Sequence, residues 1–420
     1  MCNSYSAETV FQPKSYPTNT YVDRLAGTST YAKRMQRAIR TPGNLVVISG
    51  ASKSGKTVLC HHVISEEKII DLSGSQIQEN DDFWEQIAEN VAMPVEIQVT
   101  KQNSDAAKKG KSGGLKLSAG LSAGGSIHKE HTHTAVNSIM SKSLRTNTEM
   151  MKYLIQNDKV LVIDDFHYIP QAVQQYIART LKTELFRGLK AVILTLPHRS
   201  DDAIRLNPDL IGRTTIIEIA PWSIAELEQI AQKGFPLLKI TIRDDEIEKL
   251  AQESVASPQL MQENCLSLSE ELLDANLNTV TQDALLRAFA ITATNYEYYQ
   301  TPLQKAEKGP AQGRKRRKKY MLRDGKQVDG YKLLLLALTK DPPKLSFEAS
   351  EIQQRIVSLM AENLQKKLSV LYISNIAKHI EKSLQESLPQ LDTMEWKDKI
   401  LYILDPFLLF YLRWNEEWKK

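Results

Sequence analysis

Only three cysteines occur in 420 residues, and Cys2, Cys60 and Cys265 stand far apart without metal-ligand spacing. That excludes a disulfide framework and a cysteine-held metal, and it suits a reducing, cytoplasmic setting. Long apolar runs are missing as well. Leu333 to Leu338 is too short for a bilayer, and Ile400 to Trp414 is broken by Asp405, Pro406 and Arg413, so no membrane span is expected. The start of the chain is polar and rich in Ser, Thr, Tyr and Asn, unlike a signal peptide. Charge of one sign is scarce: 54 Lys and Arg against 50 Asp and Glu leave an excess of +4, too small to name a partner. Only the placement of charge can inform. Nothing resembles a nuclease, protease or other effector signature. The remaining composition is that of a globular chain long enough for about two to three domains.

What is present begins at Leu45. Leu45, Val46, Val47 and Ile48 form a short apolar strand that runs into Gly50-Ala51-Ser52-Lys53-Ser54-Gly55-Lys56-Thr57. This is the Gly-x-x-x-x-Gly-Lys-Ser/Thr phosphate loop in its strand-to-helix setting. Its glycines let backbone N–H groups turn inward around phosphates, and the following helix points its positive end at them. Gly50, Ser52, Lys53, Ser54 and Gly55 are therefore nucleotide-binding candidates, with Lys56 on the β- and γ-phosphates and Thr57 on magnesium. The expected ligand is a nucleoside triphosphate with Mg2+.

A second apolar run, Val160 to Ile163, reads as a strand buried on both faces. It ends in two acids with separate expected tasks. Asp164 stands where a phosphate-loop enzyme holds magnesium, and Asp165 where an acid can orient and deprotonate the attacking water. Strands over Ile69 to Leu72, Ala191 to Thr195 and Thr215 to Ile219 alternate with helices over His61 to Glu66, Asp82 to Val91, Ser138 to Gln156 and Pro170 to Arg187. That order predicts an α/β domain with a parallel sheet and a ligand at the carboxyl ends of its strands. Thr195 ends one such strand and Arg199 follows it, both placed to reach a γ-phosphate. Arg213, just before the last strand, can serve a nucleotide held by an adjacent subunit.

Taken together these residues resemble the AAA+ and STAND class of ATPases, especially bacterial and archaeal STAND-like members close to origin-recognition ATPases, over most of the chain from about Tyr21. Tyr21-Val22-Asp23-Arg24 resembles the family's Phe/Tyr-Val-x-Arg box, which implies adenine contacts from Tyr21, Val22 and Arg24. Ile163-Asp164-Asp165 is similar to the STAND form of the magnesium motif. Arg199 matches the polar sensor, and Arg213 matches the arginine finger. Ala220-Pro221-Trp222-Ser223 resembles the entry to a helical lid, and Ser257-Pro258 stands for the lid's Gly-x-Pro with Ala256 in place of Gly, implying a nucleotide contact near Pro258. No second-sensor arginine occurs from Ser257 to Glu263, which points to the STAND branch. The resemblance implies a P-loop ATPase core over 43–221, preceded by a lead segment over 1–42 and followed by an α-helical lid over 222–308. A basic linker over 309–330 and a winged-helix domain over 331–420 complete the expected order.

Inside the core the stretch 101–135 turns to Gly, Ser, Ala and Lys. Alternation at Leu115, Leu117, Ala119 and Leu121 suits a protruding hairpin around Ala123-Gly124-Gly125. Arg314 to Lys319 is the one dense charge block, of the kind that neutralises nucleic-acid phosphates. Beyond Tyr331 helices are expected at Tyr331 to Thr339, Phe347 to Leu364 and Leu371 to Leu384, followed by strand-like residues through Trp414, which together suggest a winged helix. Two functions are compatible with this reading. One is a nucleotide-driven switch that oligomerises and acts through a separate effector protein, for instance in antiphage defence. The other is an ATP-dependent DNA-binding factor of the replication-initiator or transposition-accessory sort.

Overall fold

The computed structural model describes residues 5–91, 147–196, 208–309, 317–361 and 368–419. The hairpin expected within 101–135, Arg199 and the start of the basic block at Arg314 lie outside the described residues. A parallel sheet organises the first part. Its strands are β1 Leu45–Gly50, β2 Ile69–Ser73, β3 Val160–Asp164, β4 Lys190–Thr195 and β5 Thr214–Ile219, laid side by side in the order β2-β3-β4-β1-β5. All four pairings are parallel. The strand carrying the paired acids is therefore not the neighbour of the phosphate-loop strand, because β4 lies between them.

These strands are apolar throughout because both sheet faces are covered. Alternate side chains point to opposite faces. Leu45 and Val47 join Leu161, Ile163, Ala191 and Ile193 in one core, which is closed by α3 Asn80–Val91, α4 Asn147–Gln156 and α5 Gln171–Phe186. Val46 and Ile48 join Val160, Val162, Val192 and Leu194 in the other, under α1 Tyr31–Arg40 and α2 Lys56–Val63. This is the P-loop NTPase fold, and the chain continues into a mainly helical region. Each expected core strand is present, β1 longer by two residues and each of the others by one.

Helices α6 Ile224–Leu237, α7 Asp244–Glu253, α8 Pro258–Asp274, α9 Gln282–Thr294 and α10 Gln300–Lys308 come next. The Ser223 side chain caps α6, with Glu226 completing the capping box. Ser257 caps α8, and Pro258 takes the first helical position, where a missing N–H costs nothing. Just before it, Val255 and Ala256 have φ of 47° and 57°, a left-handed path that a glycine would follow with less strain.

The last region holds a small hairpin, β6 Lys319–Met321 with β7 Gln327–Asp329, then α11 Gly330–Leu338, β8 Ser346–Glu348, α12 Ala349–Leu359, α13 Val370–Ser387, β9 Met394–Lys397, β10 Ile400–Ile403 and α14 Pro406–Trp414. Strands β8, β10 and β9 form an antiparallel sheet with β10 in the centre. Two expectations need correction here. The segment expected as helix from Phe347 opens with strand β8, because Phe347 is drawn into the small sheet opposite Leu401. The strand-like ending is strand only to Ile403, after which Asp405 caps a helix: its carboxylate accepts from Phe407 N at 3.0 Å. One continuous apolar core joins Leu227, Leu260 and Phe289 to Leu333, Ile376 and Phe410, and it also takes in Val10, Phe11 and Val22 from the start of the chain.

Candidate functional site

The phosphate loop turns sharply between β1 and α2. Gly55 closes it with φ +91°, a conformation that L side chains rarely adopt, and Lys53 also lies in the left-handed region. Lys56 is buried, and its ammonium donates to the carbonyls of Gly50 at 3.0 Å and Ala51 at 2.9 Å. Burial pushes the Lys56 ammonium below the ordinary lysine range, while the charges of Asp164 and Asp165 oppose that shift. Thr57 is exposed, and its hydroxyl donates to Asp164 Oδ2 at 2.6 Å. That contact spans from the start of α2 past the end of β4 to the end of β3. It brings together a hydroxyl and a carboxylate, the hard oxygen pair that magnesium takes beside phosphate oxygens.

Asp165 follows with φ +53°, and its N–H donates to Asp164 Oδ1 at 2.7 Å. Burial raises the Asp165 carboxyl, the neighbouring Asp164 charge raises it further, and Lys56 and Lys53 pull it back. A half-buried carboxylate above its usual range beside two lysines has the environment of a general base. Gly74 sets the position of both acids: a Cβ there would lie 2.5 Å from the Asp165 carbonyl and 2.7 Å from that of Asp164. Gly74→Ala is therefore expected to push the acids out of line and to lower turnover about 10- to 100-fold, with much less effect on ATP binding. Parallel measurement of kcat and of the ATP dissociation constant checks this.

Thr195 ends β4 between the loop strand and the acid strand, level with Ser49. Its hydroxyl is buried and has no hydrogen-bond partner among the described residues. A buried orphan hydroxyl is costly, and one beside a phosphate loop is suited to a ligand oxygen. Ser54 Oγ is likewise buried and unpartnered. Arg199, expected beyond Thr195, lies outside the described residues. Arg213 is exposed, with its guanidinium 5.6 Å from the centre of the Phe186 ring, on the surface beside β5.

The upstream box joins the site to the helices that follow β5. Tyr21 stacks on His62 of α2 at 3.9 Å between ring centres, and its carbonyl accepts from Lys233 at 2.6 Å. Val22 is buried in the core that the helices after β5 share with the C-terminal region. Arg24 is committed mainly to protein partners: Nε donates to Glu226 at 2.9 Å, and Nη2 donates to the carbonyls of Ala220 and Pro221. It lies over Trp222 at 4.5 Å, and the Trp222 indole donates to the Ser54 carbonyl at 2.9 Å. A chain of contacts thus runs from Arg24 through Ala220 to Trp222 and on to the phosphate loop. Pro258 fixes the start of α8, whose Gln262 donates to Thr20 at 2.7 Å.

The C-terminal helix also reaches the loop, which no local pattern announces. Lys53 Nζ lies 4.1 Å from the centre of the Phe407 ring, the first turn of α14. The buried Asp405 carboxyl is raised by burial; the Tyr299 hydroxyl that donates to it at 2.5 Å, the Lys53 charge and the Phe407 N–H counter that. Among the described basic-block residues, Arg317 is tied into the fold by Asp329 at 3.0 Å and by the Tyr331 ring at 4.8 Å. No cluster of three or more His, Cys, Asp or Glu able to hold a metal occurs among the described residues, and no helix there is long and apolar enough to cross a membrane.

No protein-family model matches the chain. A segment of 131 residues is 29% identical to RuvB-like helicase 1 of Candida albicans; it spans 30% of this chain and 28% of that protein. Similar solved structures include Cdc6p from Pyrobaculum aerophilum, with TM-score 0.43, 10% identity and 97% of each chain covered. A Walker-type ATPase of Pyrococcus abyssi gives TM-score 0.49 and 12% identity over 91% of this chain and 94% of that one. The RuvB Holliday junction branch migration motor of Thermotoga maritima gives 0.41 and 13% over 89% and 90%.

Proposed function

We propose that this chain is an ATP-driven molecular switch of the AAA+ and STAND type, which binds and hydrolyses ATP and passes its state to a partner protein. The observation that carries the reading is the contact of Thr57 with Asp164 at 2.6 Å, made across an intervening strand and beside Lys56. Thr57 and Asp164 would hold magnesium, which when bound supplies charge neutralisation at the β- and γ-phosphate oxygens. Lys56 and the inward N–H groups of the loop bind the phosphates, Asp165 accepts the proton of the attacking water, and the Thr195 hydroxyl lies near the γ-phosphate. Arg199 in the sensor role, and Arg213 acting on a neighbouring subunit in a homo-oligomer, complete the set we assign.

The switch itself rests on the contact between loop and C-terminal helix. A cation over an aromatic face is worth about 0.5–2 kcal/mol, and in the switch we propose this contact of Lys53 with Phe407 competes with a phosphate for the ammonium. Phe407→Leu keeps the apolar volume and removes the π face. It is expected to tighten ATP binding about 2- to 5-fold, read by titration with a fluorescent ATP analogue, whereas unchanged affinity would remove the C-terminal region from the switch. Magnesium-dependent release of phosphate from ATP tests the enzyme itself: no turnover from the folded chain, alone or assembled, defeats the proposal.

The order helix, strand, helix, helix, strand, strand over β8 to β10 and their helices supports a winged helix. Its groove beside Trp396 mixes Lys378 and Lys382 with Glu381 and Glu386, so base reading is poorly served. We assign that region to packing on the lid and to regulation of the nucleotide site.

A further inference from the structure

Helix α1 is charged in a way that the nucleotide site does not explain. It packs with Tyr31, Ala32, Met35 and Ala38 under the sheet face that carries Val46 and Ile48, and the Tyr31 hydroxyl accepts from Ala220 N at 3.0 Å. Its outward face carries Lys33, Arg34, Arg37 and Arg40, all exposed, with no acid in the helix. Those four cations equal the excess of +4 of the whole chain. Among the described residues none of the four makes an ion pair, a cation-π contact or a side-chain hydrogen bond, in contrast to Arg24 and Arg317. Spacings of four and three residues put Lys33, Arg37 and Arg40 on one stripe. They line a shallow depression of about 560 Å³ whose wall also includes Gln36, Thr41 and Pro42.

We propose that this face binds the phosphate backbone of a nucleic-acid duplex, independent of sequence. Four unneutralised cations repel one another, and a polyanion removes that repulsion while releasing its own condensed counterions. From Lys33 to Arg40 the helix rises about 10 Å, a length over which one duplex strand presents about three phosphates. Three of the four cations are arginines, whose planar fork matches phosphate oxygens. The other occupants of a basic face fit less well. An anionic membrane is held by amphipathic helices that also insert Trp, Phe or Leu, and the outward residues here are Lys, Arg and Gln. A protein partner needs an apolar centre, and a single strand needs aromatic platforms; the exposed face has neither. Since Tyr31 of the same helix touches the strand end that leads into the lid, a duplex held on α1 would lie one packed layer from the nucleotide site.

The test uses the full chain and a labelled duplex of roughly 30 base pairs and random sequence, with binding followed by anisotropy between about 50 and 200 mM salt. Replacing Lys33, Arg34, Arg37 and Arg40 together by Gln retains helix propensity on a solvent face. The quadruple variant is expected to bind at least about tenfold more weakly near 0.1 M salt, and its slope of log affinity against log salt should fall by about 3 to 4. Should the quadruple variant fail to fold, the pair Arg34→Gln and Arg37→Gln should lower the slope by about 2. Lys56→Ala should bind the duplex as the parent does, which separates this site from the nucleotide reading. Unchanged affinity and slope in a folded variant overturn the proposal. So does a variant that keeps duplex binding and loses only its binding to phosphatidylserine vesicles, which would make the face a membrane contact.

Discussion

Asp165→Asn should lower ATP turnover by about 10²- to 10⁴-fold while ATP binding stays within about twofold, because in the role proposed for it Asp165 is a proton acceptor and not a phosphate ligand. Asn tolerates left-handed backbone well, so the φ of +53° at this position is kept and the loop after β3 should not move. Lys56→Ala is the contrasting change: it strips charge from the phosphate site, and its loss should be seen in binding first. The pH profile supplies a second readout. Burial and the Asp164 charge raise the Asp165 carboxyl above the ordinary range. A base must be deprotonated to act, so the rate should rise with pH through that raised value, and the acid limb should lie at higher pH than for an ordinary aspartate. In Asp165→Asn this limb should vanish from the residual rate. If turnover in Asp165→Asn stays within a few-fold of the parent, another group activates the water.

The nucleotide loop and the C-terminal helix differ in how plainly the sequence shows them. The loop strand, the Gly-rich turn and the acid pair are local patterns: four consecutive apolar residues demand burial on both faces, and Gly55 and Lys56 follow at fixed spacing. Sheet order and the Thr57 to Asp164 contact then follow from packing one strand between the two motifs. Helix α14 was harder to read. Every residue in it except Trp414 is buried, so it has no polar stripe and no 3.6-residue period, and it imitates a strand. Its start was nevertheless marked, since Asp405 followed by Pro406 is the cap and first position of a helix. The meeting of Lys53 with Phe407 and the commitment of Arg24 to Glu226 join residues about two hundred or more positions apart. Nothing local encodes such pairs. Strands as short as β8 and β9 likewise exist only because β10 lies between them.

The second large effect is on stability. Glu253, at the end of α7, has no exposed surface, and Arg413 of α14 grips it with Nη2 to Oε1 at 2.6 Å and Nε to Oε2 at 2.8 Å. The Trp414 indole donates to the same carboxylate at 2.8 Å, and Lys249 reaches it at 2.8 Å. Burial alone would raise the Glu253 carboxyl; the hydrogen bonds and charges of Arg413 and Lys249 outweigh that and hold it below its usual range. Without Arg413 the buried carboxylate keeps only Lys249 and the Trp414 indole, so Arg413→Met is expected to cost about 3 kcal/mol, read as a fall in the denaturant midpoint. The double variant Glu253→Gln with Arg413→Met should recover much of that loss, because desolvation of an unpaired charge is the main penalty. The sign of the pH dependence follows from the depressed carboxyl. Its stabilisation is complete above the unfolded value near 4.3 and is lost as pH falls through the lower folded value, so acid should loosen α14 from α7. Since α14 also presents Phe407 to Lys53, the same acid titration should release the loop in the parent and have less effect in the double variant. An identical acid response in the two chains would place the linkage elsewhere.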